Sequence, residues 1–386
     1  MAEPNGTTRR LPRNVLLLGL VSFFTDVGSE MAMPLLPAFV ETLGGGALAL
    51  SRIEGIATAV ASLLMLVSGI LADRIGRNRP LVIAGYGISA LVRPLLALAA
   101  SPAQVGLIRG TDRIGKGLRG SPRDALIAAS VAPERRAAAF GLHRAMDHAG
   151  AFVGPLLAFV LLHFAGVEVR TIFWLTAVPG LCALGIAVFG VREVRGEARA
   201  AAAARDAPAP RRLGRVLLPI GLFALGGMSE LLLLLKAGAS RVPVEAIPLL
   251  WVGLHLVKSL LATSGGRLAD RIGRRRTLAI GWTLHALIFV ALGLTTDRVG
   301  IVILILLHGA RCALTEGAEK ALVAEIAPKH ARGRAFGAYH VVIGLLALAS
   351  AELFGRLWEG LGDQVAFHTA AGIALTAVAA LAALRR

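Results

Sequence analysis

Between residues 109 and 124 seven ionisable side chains recur: Arg109, Asp112, Arg113, Lys116, Arg119, Arg123 and Asp124. Carboxylates held beside guanidinium groups exchange protons, because burial raises a carboxyl pKa while a neighbouring cation lowers it. Cations in surplus attract carboxylates, phosphates and similar anions. The chemistry is unusual only for its setting, since the runs on either side are apolar. At ~100° per residue all seven charges fall on one arc of about 140° of a helix. A charge turned to lipid at mid-membrane costs about 2.5–3.5 kcal/mol. The stripe is therefore expected to face a water-filled cavity, ionic partners, or both.

Further charges lie in other apolar blocks. Asp26 and Glu30 stand one turn apart, on one helix face. His143, Arg144, Asp147 and His148 cluster in a later block, and Asp147 is within reach of Arg144 or a span-4 arginine. Glu230, preceded by Ser229 as Glu30 is by Ser29, is followed by Lys236. Lys258 and His255, then Arg311, Glu316, Glu319 and Lys320, then His340, complete the set, with Arg93 in the third block. Membrane interiors rarely accumulate so many ionisable groups, so the set reads as a transport pathway, although any single member also fits a structural ion pair.

The elements that must position these residues follow from composition. The 386-residue chain is 56% hydrophobic and 17% charged, against about 25% charged in soluble domains. The apolar residues form blocks near the ~20 needed to cross a bilayer. Twelve spans are expected: 14–39, 52–72, 80–100, 104–130, 137–164, 170–190, 214–237, 246–266, 277–296, 299–325, 335–357 and 364–384. The connections alternate in charge, ADRIGRNRP and ADRIGRRRT on one side against ASPAQ and EGLGDQ on the other. The basic set is expected to be cytoplasmic, with both termini inside. The net charge of +17 then reflects topology, and nucleic-acid binding is excluded for want of interleaved aromatics. The first span resembles a signal peptide, but Asp26 and Glu30 follow it without a small-residue cleavage site, so it is read as uncleaved. Cys182 and Cys312 imply neither disulfide framework nor zinc spacing. His143, Asp147 and His148 supply no closed ligand shell from one helix, so no metal and no cofactor is expected.

An internal repeat divides the chain. GILADRIGRNRPLVI at 69–83 recurs as GRLADRIGRRRTLAI at 266–280, and PERRAAAFG at 133–141 is echoed by PKHARGRAFG at 328–337. This gives a six-span half at 1–190, a linker rich in Ala, Arg and Pro at 191–213, and a second half at 214–386. Parallel repeats of this size are the pattern of secondary transporters.

The loop Gly69-x-Leu71-Ala72-Asp73-Arg74-x-Gly76-Arg77 and its copy with Gly266, Asp270, Arg271, Gly273 and Arg274 resemble the signature loops of the major facilitator superfamily. The resemblance implies an all-α fold of twelve transmembrane helices in two pseudo-symmetric bundles. It also implies that these residues latch the halves on the cytoplasmic side in the outward-facing state; a basic turn with a capping acid is the plainer reading. Gly69 and its copy Gly266 are expected to let another helix approach closely. Arg113-Ile-Gly-Lys116-Gly117 resembles the family's Arg-x-x-Gln-Gly motif, whose arginine is associated with proton coupling, with Lys116 replacing the glutamine. Gly150-Ala-Phe-Val-Gly154-Pro155 resembles the G-x-x-x-G-P core of the antiporter motif of efflux members, though Leu156-Leu157-Ala158 stands where a glycine pair is expected. The same spacing also simply permits close helix packing.

Gly115–Gly120 spells G-x-G-x-x-G, but no strand precedes it, so nucleotide binding fails its context. Its glycines, with Pro122, are expected to kink or open the helix. No G-x-S-x-G, H-E-x-x-H or P-loop pattern points to an enzyme. The reading is a monomeric, proton-coupled carrier of a small anionic or amphiphilic solute in the inner or plasma membrane. Asp26, Glu30, Asp147 and Glu230 are its candidate proton carriers, and efflux is favoured. Two alternatives stay open, proton-linked uptake of an organic anion and a non-transporting receptor or assembly factor on the same fold. Arg113, Lys116, Arg123, Arg144, Lys236, Lys258 and Arg311 together predict a markedly cationic interior that repels lipophilic cations.

Overall fold

The structure, a computed structural model, describes residues 12–132, 135–194, 211–326 and 332–384. Within helices the side chains of Leu66, Gly69, Ile70, Asp73, 136–138, 211–212, Thr263, Ala324 and 332–334 are outside that set. The echo residues 133–134 and 327–331 and most of the linker, 195–210, lie outside the described residues, as do the side chains of the Gly69 and Asp73 latch positions.

The described chain is helical throughout, without a strand. The first half comprises α1 (Arg13–Ala32), α2 (Leu36–Thr42), α3 (Ala47–Ile75), α4 (Arg79–Val92), α5 (Pro102–Ala129), α6 (Arg136–His163), α7 (Val169–Leu175) and α8 (Ala177–Gly185). The second comprises α9 (Arg211–Gly226), α10 (Glu230–Ala239), α11 (Ile247–Ile272), α12 (Arg274–Leu294), α13 (Arg298–Ile326), α14 (Arg332–Leu361) and α15 (Asp363–Ala383). Eleven helical stretches among the described residues are long and apolar enough to cross a membrane. The twelfth expected span is α5, whose 28 residues suffice in length and whose charges set it apart.

Local chemistry fixes the helix ends. Ser101 caps α5 by accepting from the Gln104 amide at 3.3 Å, with Pro102 at the first helical position. Gly76 ends α3 at φ 66°, and Gly273 joins α11 to α12 at φ 93°, so both signature loops turn on a backbone conformation that favours glycine. Glu193 caps α4, its carboxylate accepting from the Asn78 and Arg79 amides at 3.1 and 2.8 Å.

The two ends of the bundle differ as the connections suggest. Asn14 Nδ2 donates to Ser130 Oγ at 2.9 Å, and its Oδ1 accepts from the Arg192 amide at 3.0 Å. Arg275 donates to the Leu384 carbonyl at 3.0 Å. Both ends of the described chain thus sit at the basic end, beside the signature loops.

The glycine motifs work by contact. A Cβ on Gly150 would lie 2.4 Å from the Phe23 carbonyl oxygen, and one on Gly154 2.4 Å from that of Val27, so α6 packs backbone to backbone on α1. Contrary to the expectation of an opened helix, α5 runs unbroken through its glycines. A Cβ on Gly115 would meet the Gly85 carbonyl of α4 at 2.5 Å, and one on Gly117 would meet Leu64 of α3 at 2.5 Å. These glycines let α5 wedge between two neighbours. Gly266 also differs from expectation: a Cβ there meets nothing within 4 Å, whereas Gly265 lies 2.4 Å by the same measure from the Ala313 carbonyl of α13. The packing position is offset by one residue from the signature.

Candidate transport cavity

The span-4 stripe divides into two groups. Arg109, Asp112 and Arg119 are buried against neighbouring helices. Arg109 donates to Glu54 of α3 at 2.6 Å and lies 3.5 Å from Asp112. Asp112 accepts from Arg93, the residue that follows α4, at 3.0 Å, and Arg93 also donates to the Thr25 carbonyl of α1 at 3.1 Å. Arg119 donates to Ser89 Oγ at 2.7 Å and lies 4.5 Å over the Tyr86 ring. These charges bind the first half together. Arg113 and Lys116 have no acid within 4 Å among the described residues. Lys116 is exposed although it sits mid-span, and the charges acting on it are Arg113, Asp26, Arg119 and Glu30. Nearer the basic end Arg123 donates to Asp124 at 2.8 Å.

Several residues assigned to the pathway are tied elsewhere. Lys236 is buried in an ion pair with Asp363, at the end of the bundle opposite the signature loops, and does not line the cavity described below. Lys258 pairs with Glu230. Asp147 lies 3.4 Å from His143 and 3.6 Å from Arg144. Glu30 accepts from Trp251 Nε1 at 2.8 Å, a bond that crosses between the halves. The expectation of a markedly cationic interior is therefore corrected. Most of the cations are answered by acids, leaving Arg113, Lys116 and Arg311 against Asp26, Glu316 and Glu319, none with an ion pair within 4 Å among the described residues.

A cavity of about 480 Å³ lies between the halves. Glu54 and Met33 contribute from the first half. From the second come Phe223, the unwound stretch Gly227–Ser229, Glu230, Trp251, Arg311, Glu316, Glu319 and Tyr339. The unwound stretch interrupts what the sequence suggests is a single span, 214–237. Ser350 Oγ donates to the freed Gly227 carbonyl at 2.7 Å, and Ser229 caps α10 by accepting from the Leu231 amide at 3.2 Å. Irregular backbone at membrane depth is tolerated where it lines a cavity. Glu319 accepts from Tyr339 OH at 3.1 Å. Arg311 donates to His308 at 3.0 Å and lies over the Phe223 ring, which stacks on Trp282.

Glu54, Trp251, Tyr339 and His308 are absent from the sequence-based set. Glu230, His308 and Cys312 bring ligand atoms within 4.8 Å of one another, a grouping the sequence does not suggest. Lys258 already holds the Glu230 carboxylate and Arg311 stands on His308, so two cations oppose a metal ion there.

The cavity is sealed at one end. Arg52 of α3 forms a forked pair with Glu352 of α14 at 2.7 and 2.8 Å, and the Leu48 amide donates to Glu359 at 3.0 Å. At the basic end Arg74, Arg77, Asp270 and Arg271 are exposed, and Arg274 pairs with Glu325 of its own half. Among the described residues the signature loops make no ion pair across the halves.

The sequence profile of the Major Facilitator Superfamily matches residues 18–251 and 244–386. The chain belongs to the major facilitator superfamily. An MFS-type transporter of Methanocaldococcus jannaschii is 29% identical over 367 residues, covering 93% of this chain and 92% of its own. The multidrug resistance protein MdtG of Dickeya zeae is 32% identical over 186 residues, 47% of this chain and 45% of its own. The crystal structure of the human organic anion transporter MFSD10 superposes with a TM-score of 0.69 at 18% identity, covering 96% of this chain and 99% of its own. The chain is thus an integral membrane protein of a transporter family with the fold expected from its repeat.

Proposed function

We propose that this superfamily member is a monomeric, proton-coupled secondary transporter that moves a small amphiphilic solute across the inner or plasma membrane by alternating access. The halves 1–190 and 214–386 rock about the cavity, the 191–213 linker and both termini being cytoplasmic. The observation that carries the reading is a cavity between the halves, sealed at its sparsely charged end and lined by Glu316 and Glu319, intramembrane acids without an ion pair among the described residues. Asp26 and Glu319 are the proton carriers, being intramembrane acids for which no ion pair within 4 Å is formed among the described residues. Asp147 and Glu230 have ionic partners and serve in structure, and Glu30 ties the two halves together through Trp251. The signature loops latch the basic end once the opposite end opens.

Efflux is supported by the Gly150–Gly154–Pro155 motif and by relatives named multidrug resistance proteins. Uptake of an organic anion is the second reading, favoured by the unpaired Arg311.

Flux driven by an imposed pH gradient in proteoliposomes tests the proposal, using a solute found by thermal-shift screening. Asp26→Asn and Glu319→Gln should each abolish gradient-driven accumulation while retaining solute exchange at zero gradient. Wild-type accumulation by both variants would overturn the coupling assignment. Binding without flux in the unmodified protein would leave the receptor reading in its place.

A further inference from the structure

We propose that the α13 wall of the cavity is a receptor for a zwitterion, its carboxylate seated on Arg311 and its ammonium group on Glu316. The inference rests on the transport reading and adds the substrate class.

Arg311 is 7% exposed and lines the cavity, yet no carboxylate lies within 4 Å of it among the described residues. Its Nε–H has no hydrogen-bond partner, and its described side-chain contacts are His308 and the face of Phe223. The buried guanidinium groups of the first half are treated differently. Arg93 and Arg109 meet acids, and Arg119 donates to Ser89 and to the Gly85 carbonyl. A planar guanidinium that lines a cavity with no acid beside it and its Nε–H unpartnered fits an incoming carboxylate, which such a group binds through paired N–H donors.

Glu316 is the complementary case. It lines the same cavity, is exposed to it, and has no ion pair, whereas Glu230 meets Lys258 and Glu319 meets the Tyr339 hydroxyl. The two open charges lie on one helix, five residues apart, or ~7.5 Å of axial rise and about 140° around its axis, and both reach the cavity. A monoanion would answer Arg311 and meet repulsion from Glu316, and a monocation the reverse. A zwitterion supplies both counter-charges at once. Its apolar body meets the half-buried Ile343 and Ala347 of the lining, and the cavity of about 480 Å³ suits a small molecule.

Three probes of one shape isolate the charges: alanyl-phenylalanine, its N-acetyl derivative and its C-terminal amide. Their binding to detergent-purified full-length protein is measured by calorimetry. The zwitterion should bind about tenfold or more tighter than either capped form, as expected for loss of one charge-assisted contact. Arg311→Gln should weaken the free dipeptide and the acetylated form and leave the amide unchanged. Glu316→Gln should weaken the free dipeptide and the amide and leave the acetylated form unchanged. Should Arg311→Gln not fold, Arg311→Lys keeps the charge without the fork and should lower carboxylate affinity alone.

Equal binding of the free and acetylated dipeptides overturns the inference, as does binding unaffected by either substitution or no binding by any probe. If no probe binds while a screened solute is still driven by a pH gradient, the zwitterion assignment falls and the transport reading stands. If the dipeptide binds charge-selectively to a protein that moves nothing, the zwitterion site stands and the transport reading falls.

Discussion

Arg93 and Asp112 form one of the most enclosed ion pairs in the protein, each side chain 4% exposed. Removing Asp112 strands the Arg93 charge in a medium that cannot hydrate it, at a typical cost of about 3–5 kcal/mol, and removing Arg93 leaves Asp112 only the longer pair with Arg109 at 3.5 Å. Arg93→Leu and Asp112→Leu should therefore each lower the thermal midpoint of the purified protein strongly. The double variant should recover much of the loss, since two apolar side chains need no counter-ion. Arg52→Ala, which breaks an exposed pair, should leave the midpoint nearly unchanged. A double variant as unstable as the worse single one would contradict this account. The charges themselves were legible in the sequence, because an intramembrane arginine stands out against apolar neighbours. Their pairing was not: Glu54 belongs to another span, and its bond to Arg109 joins positions 55 residues apart. The cationic surplus expected of the interior shrank for the same reason, since Asp363 and Glu230 answer Lys236 and Lys258 while Arg113 and Lys116 stay without an ion pair among the described residues.

At the scale of elements, the α1–α6 contact depends on missing side chains. A methyl on Gly154 would sit 2.4 Å from the Val27 carbonyl oxygen and 3.0 Å from the Met31 amide nitrogen, both backbone atoms that yield only if a helix moves. Gly154→Ala should destabilise the protein by about 1–3 kcal/mol, the usual penalty for overpacking. It should also disturb Asp26 and Glu30, which α1 carries on either side of that contact. Gly141→Ala, on the same helix with nothing within 4 Å, provides the control and should leave stability unchanged or slightly raised. Thermal denaturation of the two variants side by side checks the pair, and equal effects would refute the close-packing role. The small-residue spacing of α6 and the turn glycines Gly76 and Gly273 could be read from sequence because each motif is local. The break at 227–229 and the contact at Gly265 could not. Both depend on what the neighbouring helices present, Ser350 in one case and the Ala313 carbonyl in the other.

For the whole molecule, alternating access requires the seal between α3 and α14 to open when the signature loops close. The seal is tight. A Cβ on Gly355 would lie 2.6 Å from the Leu48 Cα and 3.2 Å from its Cβ, slightly closer than the roughly 3.5–4.5 Å between Cβ atoms in a disulfide. A small separation of the helices would therefore let cysteines at 48 and 355 join. The native Cys182, which is exposed, and Cys312, which is buried beside Glu230, must first be replaced by serine. In that background Leu48→Cys with Gly355→Cys should cross-link on mild oxidation and stop solute flux, and a reductant should restore it. Solute binding should survive oxidation, because the α3–α14 contact is already closed in this structure and locking it leaves the cavity lining in place. If the cross-linked protein transports at the uncross-linked rate, the α3–α14 contact is a static joint and the rocking motion must run about another pair of helices. Flux that stays lost after reduction would indicate damage by the substitutions, and the single variants separate that outcome from a locked gate.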